Sequence, residues 1–322
     1  MPFTFLMLPP HTDITRDWAA RLSRDVPEAS VVLAEDEAGV AKNIATADGA
    51  YGWMPSPLLA RAEKLRWLQS PQAAPAAGYY HPALIAHPVV VTNMREIFND
   101  HIGAHIMAFV LAFARGLHFY IPQQLRREWT KPPEDTGVVD LPSSTALIVG
   151  AGGIGAEAAR LLSAFGATVL ATDARRASPP PGVAELHPPE ALDDLLPRAD
   201  FVILTVPHTP ATEGFFNRAR FARMKPSAFF INIGRGMTTR LDDLVEALRG
   251  EKIAGAALDV FEIEPLPENH PLWTMPNVLI TPHMAGYGPH LNERRYAILR
   301  DNLHAMISGG ALRNVVDKAA WF

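Results

Sequence analysis

Gly150, Gly152 and Gly155 follow the apolar run ALIV in the spacing G-x-G-x-x-G and lead directly into a helical pattern. Each glycine of such a turn has a use: the first permits the tight turn, the second lets the backbone approach a pyrophosphate, and the third allows helix to pack closely on strand. The helix after the turn offers free N–H groups and a partial positive charge to phosphate. At the end of the next apolar run stands Asp173, a carboxylate placed to accept from adenosine ribose hydroxyls and to repel a 2′-phosphate. That arrangement favours NAD. Arg175 and Arg176 come immediately after it and carry the charge a 2′-phosphate would need, so NADP stays open. A glycine-rich turn alone is weak evidence of dinucleotide binding; the strand before it, the helix after it and the terminal acid make it specific.

Three further polar groups stand at or just beyond the ends of predicted strands, where an open α/β sheet places its ligands: Arg235 in INIGRG, Glu264 in LDVFEIEPLP and His283 in ITPHMAG. Hydride transfer to a carbonyl needs a proton donor at its oxygen, and an imidazole, which titrates near neutrality, fits that task in both directions. Glu264 is the candidate carboxylate to orient His283 and favour its charged form. A substrate carboxylate calls for a planar, two-pronged donor, which Arg235 supplies better than a lysine would. Singly, a histidine, an arginine or a glutamate is more often structural; their joint position points to chemistry on a small 2-oxo or 2-hydroxy acid.

These groups need a scaffold that gathers strand ends. From Ala146 onward ALIV (146–149), TVLAT (168–172), FVILTV (201–206), AFFINI (228–233), AGAALDV (254–260) and VLI (278–280) alternate with helical patterns, which predicts a parallel sheet covered on both faces. Leu241, Leu244, Val245 and Leu248 recur at helical spacing, with Thr239 and Asp242 predicted as a capping box and Gly250 as the stop. The earlier part is less regular: FTFLML, SVVLA (30–34), a helical-looking PLLARAEKLRWLQS and a strand-like PVVVTN (88–93). The last helical stretch, LNERRYAILRDNLHAMISGG, has no strand after it and is expected to return to the N-terminal part. The predicted fold class is α/β: a doubly wound Rossmann domain over 99–287 and a smaller, discontinuous, flavodoxin-like substrate domain over 1–98 and 288–322. KPPED (131–135) and SPPPG (178–182) are expected as surface loops.

Bulk properties bound the alternatives. A chain of 322 residues exceeds what one core usually serves, and 29 Lys+Arg against 34 Asp+Glu give a net charge of -5, with no pull toward nucleic acid or anionic membrane. The absence of cysteine removes disulfides, thiolate nucleophiles, iron–sulfur clusters and Cys-type zinc sites. MPFTFLMLPPHTD lacks a basic leader region and meets two prolines early, so it reads as a strand rather than a signal peptide. The longest apolar stretch, Ile106 to Ala114, is about half of a membrane span. A soluble, cytoplasmic protein is expected. His101 and His105 share a helix face as paired zinc ligands do, but with no third ligand evident no metal is expected.

VPHTPATEGFFN, MKPSAFFINIGRG, AGAALDVFEIEPLPENHPLW and NVLITPHMAG, with the glycine fingerprint, resemble the D-isomer-specific 2-hydroxyacid dehydrogenase family over most of residues 90 to 320. The resemblance implies two domains with the active cleft between them, Arg235 as the substrate-binding arginine, Glu264 as the histidine's partner and His283 as acid/base. It adds cofactor contacts from Gly153, Ile154, Val206, Pro207, Thr212, Ile233, Gly234 and Asp259, the last facing the nicotinamide carboxamide. It also implies a homodimer through the nucleotide domain, with HIGAHIMAFVLAFARGL (101–117) at the interface. Within the family the short-chain glyoxylate and hydroxypyruvate reductases look nearest: Trp53 in GAYGWMPSPLL stands where they carry an aromatic substrate contact, and Gln72 and Ala73 fall in the substrate loop. That loop departs from the family's Gly-Ala-Gly-Val-Asp, reading SPQAAPAAGYY, in which Pro71 removes an N–H donor. HIGAH, with Gly103 and Ala104, also lacks the acidic residue often found at the start of the interdomain helix. Two other readings share the motifs. One is a non-enzymatic, NADH-responsive protein resembling corepressors, which has no need of Arg235, Glu264 and His283 together. The other is a sibling dehydrogenase acting on formate or phosphite; formate enzymes resemble a His–Gln pair, so Glu264 disfavours that choice.

Overall fold

In the N-terminal part five short strands, β1 (Phe3–Met7), β2 (Ala29–Leu33), β3 (Gly49–Tyr51), β4 (Trp67–Gln69) and β5 (Val90–Thr92), pair in parallel in the order β2-β1-β3-β4-β5. This is the flavodoxin-type order, reversing between β1 and β3. A computed structural model describes residues 2–73, 78–131 and 138–321, so Ala74 to Ala77 of the substrate loop and most of KPPED lie outside the described residues. Two compact units divide the chain: Met1–Ile97 with Gly288–Phe322, and Phe98–Tyr287.

PLLARAEKLRWLQS is not one helix. Only Ser56–Leu59 is helical, and Trp67 and Leu68, fully buried, lie in β4. Its leucines mimic helical spacing, and a short apolar run flanked by a helix cannot be told from a buried strand by periodicity. The Leu291–Ser308 helix belongs to this first unit and packs along the Asp13–Asp25 helix, with Arg21 on Glu293 at 2.7 Å and the Tyr296 hydroxyl donating to Asp25 at 2.6 Å. A buried polar chain joins it to the sheet. Trp67 Nε1 donates to Thr92 Oγ1 (2.8 Å), Thr92 donates to Gln69 Oε1 (2.7 Å), and Asn302 Nδ2 reaches the same oxygen (3.1 Å) while its Oδ1 accepts from Arg313 N (2.7 Å).

The second unit holds seven strands, all parallel: β6 (Thr145–Val149), β7 (Thr168–Thr172), β8 (Glu185–His187), β9 (Phe201–Leu204), β10 (Phe229–Asn232), β11 (Gly255–Leu258) and β12 (Val278–Ile280). Their order, β12-β11-β10-β9-β6-β7-β8, is doubly wound, and the reversal between β6 and β9 makes a crevice at the strand C-termini. Alternation supplies both faces: Ala146 and Ile148 enter one core, Leu147 and Val149 the other. Among the strands of this unit, β8 has no apolar signature, because this edge strand is only half-buried and carries Glu185, paired with Arg198 at 2.6 Å.

The Leu241–Arg249 helix buries Leu241, Leu244, Val245 and Leu248 and ends at Gly250, but Thr239 and Asp242 form no capping box. Arg240 is the N-cap, Glu262 accepts from Leu241 N at 2.7 Å, and buried Thr239 is taken by Asn232 at 3.0 Å. No single helix among the described residues is long and apolar enough to cross a membrane.

Asn302→Ala is expected to leave Gln69 and the Arg313 backbone short of partners and to cost about 1–3 kcal/mol, read as a lower unfolding midpoint. An unchanged midpoint would refute the structural weight given to these hydrogen bonds.

Candidate active site

β6 delivers Gly150, at φ 99, into the crevice beside β9, where Val206 flanks it. A Cβ on Gly155 would stand 2.1 Å from the Gly150 carbonyl oxygen, so the helix Gly153–Ala164 packs too closely on the turn for any side chain there. A Cβ on Gly152 would meet nothing within 4 Å. This helix starts on Gly152 with no side-chain cap, leaving its first N–H groups for a ligand. Open backbone at the second glycine and uncapped donors behind it fit a dinucleotide pyrophosphate. Gly153 gives room to the Asn99 side chain, which would lie 2.6 Å from a Cβ at that position. Gly234 lies against the Val206 carbonyl, so the turns after β6, β9 and β10 converge.

Asp173 Oδ1 accepts from the backbone N–H groups of Arg175 (2.8 Å) and Arg176 (2.9 Å), and Arg176 Nε donates to the Ala151 carbonyl in the glycine turn. Thr212 Oγ1 donates to Pro207 O (2.7 Å) and accepts from Thr209 N (2.8 Å), which closes the 207–212 loop. The Ile154 and Ile233 side chains belong to the core beneath the turn.

Arg235 is partly buried in the loop after β10. Asn232 organises that loop from within: its Oδ1 accepts from Gly234 N (3.0 Å) and its Nδ2 donates to the Arg235 carbonyl (3.2 Å). Arg235 Nη1 donates to Gly234 O at 2.6 Å. Burial lowers the guanidinium pKa and the Glu264 charge opposes that effect. Gly236 comes next, and a Cβ there would fall 1.9 Å from the Phe261 carbonyl, so the loops after β10 and β11 touch backbone to backbone. Glu264 is fixed by both oxygens: Oε1 accepts from Phe261 N (2.9 Å) and Oε2 from His283 Nδ1 (2.6 Å). With Nδ1 so committed, Nε2 is the nitrogen left to a substrate, and the imidazole is about half exposed, at 48%.

His283 itself is held by Asp259, which is 1% exposed. Asp259 O accepts from His283 N (2.8 Å), Oδ1 accepts from Thr281 Oγ1 (2.5 Å) and Met284 N (2.8 Å), and Oδ2 from Ala285 N (2.9 Å). Thr281 and Asn232 escape a reading of motifs; their only signal is a polar residue amid the apolar strand ends of ITPH and INIG. In the first unit, exposed Trp53 stands edge-on to Tyr79 at 5.2 Å. Ala73 O accepts from buried Asn93 Nδ2 (2.9 Å), and Gln72 O from Ser70 Oγ (3.2 Å). Among the described residues no group of His, Asp or Glu forms a metal site, and His105 instead contacts Thr281.

Residues 107–285 match the family described as D-isomer specific 2-hydroxyacid dehydrogenase, NAD binding domain. The chain is 36% identical over 296 residues to glyoxylate/hydroxypyruvate reductase B of Citrobacter koseri, covering 86% of each. It is similar to the crystal structure of a D-isomer specific 2-hydroxyacid dehydrogenase from Xanthobacter autotrophicus in complex with NADPH and MES, with TM-score 0.85, 28% identity and 100% of both chains covered. It is similar too to NADPH-dependent glyoxylate/hydroxypyruvate reductase from Sinorhizobium meliloti in complex with NADP and sulfate, with TM-score 0.80, 28% identity and 99% of each chain covered.

The two glycines separate binding from folding. Gly152→Ala is expected to weaken dinucleotide binding in a fluorescence titration with no change in melting temperature, whereas Gly155→Ala should destabilise the fold by about 1–3 kcal/mol or more. Tight binding by Gly152→Ala would count against the pyrophosphate site.

Proposed function

The chain belongs to the D-isomer specific 2-hydroxyacid dehydrogenase family, and on that premise we propose that it reduces small 2-oxo acids of the glyoxylate and hydroxypyruvate kind. The observation that carries this reading is the 2.6 Å bond from His283 to Glu264, whose charge also acts on Arg235. A reduced dinucleotide held by its pyrophosphate at the glycine turn would supply the hydride from its nicotinamide ring. Arg235 receives the substrate carboxylate, and its partial burial strengthens the charge-assisted pairing. His283 gives the proton on Nε2 to the carbonyl oxygen, while Glu264 accepts the hydrogen bond from Nδ1 and keeps the ring oriented. In the oxidative direction the same nitrogen takes the proton back.

For the cofactor, Asp173 uses one oxygen to cap its own loop through the Arg175 and Arg176 N–H groups, and the Arg176 side chain lies on the glycine turn. That supports NADPH, the form bound in the Xanthobacter protein, over the NAD that the acid alone favours. The reading includes a homodimer through residues 98–287. The large side chains of the Asn99–Ala114 helix are spent on the core, so we place the interface on the next helix, Leu117–Arg126, and the residues just beyond it, where Phe119, Ile121, Leu125 (81%) and Trp129 (91%) are exposed.

His283→Ala and Arg235→Ala are each expected to lower NADPH oxidation across a panel of 2-oxo acids about 10²–10⁴-fold while NADPH binding survives, with NADH the poorer donor. Wild-type protein inert toward the whole panel would instead favour a pure binding function. Leu125→Asp with Trp129→Asp should turn a dimer into a monomer by light scattering; a wild-type monomer refutes the interface.

A further inference from the structure

We propose that His105 is a positioning residue: its imidazole donates through Nε2 to Thr281 and so fixes the turn that carries His283. His105 Nε2 lies 3.0 Å from Thr281 Oγ1, and Thr281 Oγ1 lies 2.5 Å from Asp259 Oδ1. A hydroxyl has one proton to give. Asp259 also receives Met284 N and Ala285 N at 2.8 and 2.9 Å, so it acts as the acceptor and the Thr281 proton goes to it. The Thr281 oxygen then accepts, and Nε2 of His105 must carry a hydrogen. Nε2 is 3.9 Å from Asp259 Oδ1, too far to bond directly, which makes the hydroxyl an obligatory link. The ring is largely buried, edge-on to Phe109 at 4.6 Å, and burial lowers its pKa against the pull of Asp259, in keeping with a neutral donor.

This relay of hydrogen bonds ends where the chemistry begins. His283 sits at φ 51, a backbone region that residues with side chains rarely adopt, and its N–H is bound by the Asp259 carbonyl at 2.8 Å. Asp259 thus grips His283 by its backbone and the next two residues by its side chain. His105 fixes which way the Thr281 hydroxyl points, and hence whether Asp259 keeps all three side-chain donors. A ring that merely filled space would do none of this, and an apolar replacement would serve as well.

This role rests on the function proposed above, and the test separates the two. In the full chain, His105→Leu is expected to lower kcat about 10- to 100-fold with the NADPH dissociation constant and the acid's KM within about twofold, and His105→Gln, which keeps an N–H near the Nε2 position, to recover most of the loss. Thr281→Val should behave as His105→Leu does, and Thr281→Ser as wild type. Wild-type kcat in His105→Leu, or an equal loss in His105→Leu and His105→Gln, overturns the proposal. Nitrogen NMR of the wild type reads the tautomer without turnover: hydrogen on Nε2 and a bare Nδ1 support the relay, and the reverse overturns it. A wild type with the expected tautomer but no 2-oxo acid turnover overturns the proposed function, and the positioning role falls with it.

Discussion

A single buried carboxylate governs how the site is assembled. Asp259, at the end of β11, is 1% exposed, and a charge so placed is tolerable only when its lone pairs are taken. All of its side-chain donors come from one short stretch, Thr281, Met284 and Ala285, after β12. Satisfying the buried charge and winding this stretch into place are therefore one event. The stretch contains His283, and the same winding sets the imidazole against Glu264.

The parallel sheet provides the common origin of these loops. With every strand pointing the same way, the residues after β6, β9, β10, β11 and β12 emerge on one edge, and the reversal between β6 and β9 leaves the gap into which the glycine turn projects. Two of these loops, and one in the first unit, are braced by a buried polar residue. Asn232 does this for the arginine loop, Asp259 for the histidine turn, and Asn93 in the first unit for the Gln72–Ala73 segment.

Where a side chain's chemistry is local, the sequence declares it. The glycine spacing, the strand ends bearing Arg235, Glu264 and His283, and six of the seven strands of the larger sheet can be read from type and period alone, because buried parallel strands are continuous apolar runs and half-buried β12 still carries one, VLI. What stays hidden depends on partners distant in the chain. β3 is only Gly-Ala-Tyr, three buried residues with no alternation, β8 is polar because it lies at an edge, and β4 borrows helical spacing from its neighbours. The predicted capping box is absent for the same reason: Asn232, from the preceding strand, occupies the Thr239 hydroxyl, and Glu262, from another loop, accepts from Leu241 N. Thr281 and His105 are separated by 176 positions, and no spacing rule relates them.

Gly236 has a mechanical corollary. Because its backbone lies against the Phe261 peptide with no side chain between, the clearance separating the guanidinium loop from the Glu264 loop is set by stiff peptide planes rather than by adjustable rotamers. The two loops behave as a fixed jaw. Under the function proposed above, a bulkier acid would not be admitted by prising them apart, and tolerance for substrate size would reside in other walls of the binding site.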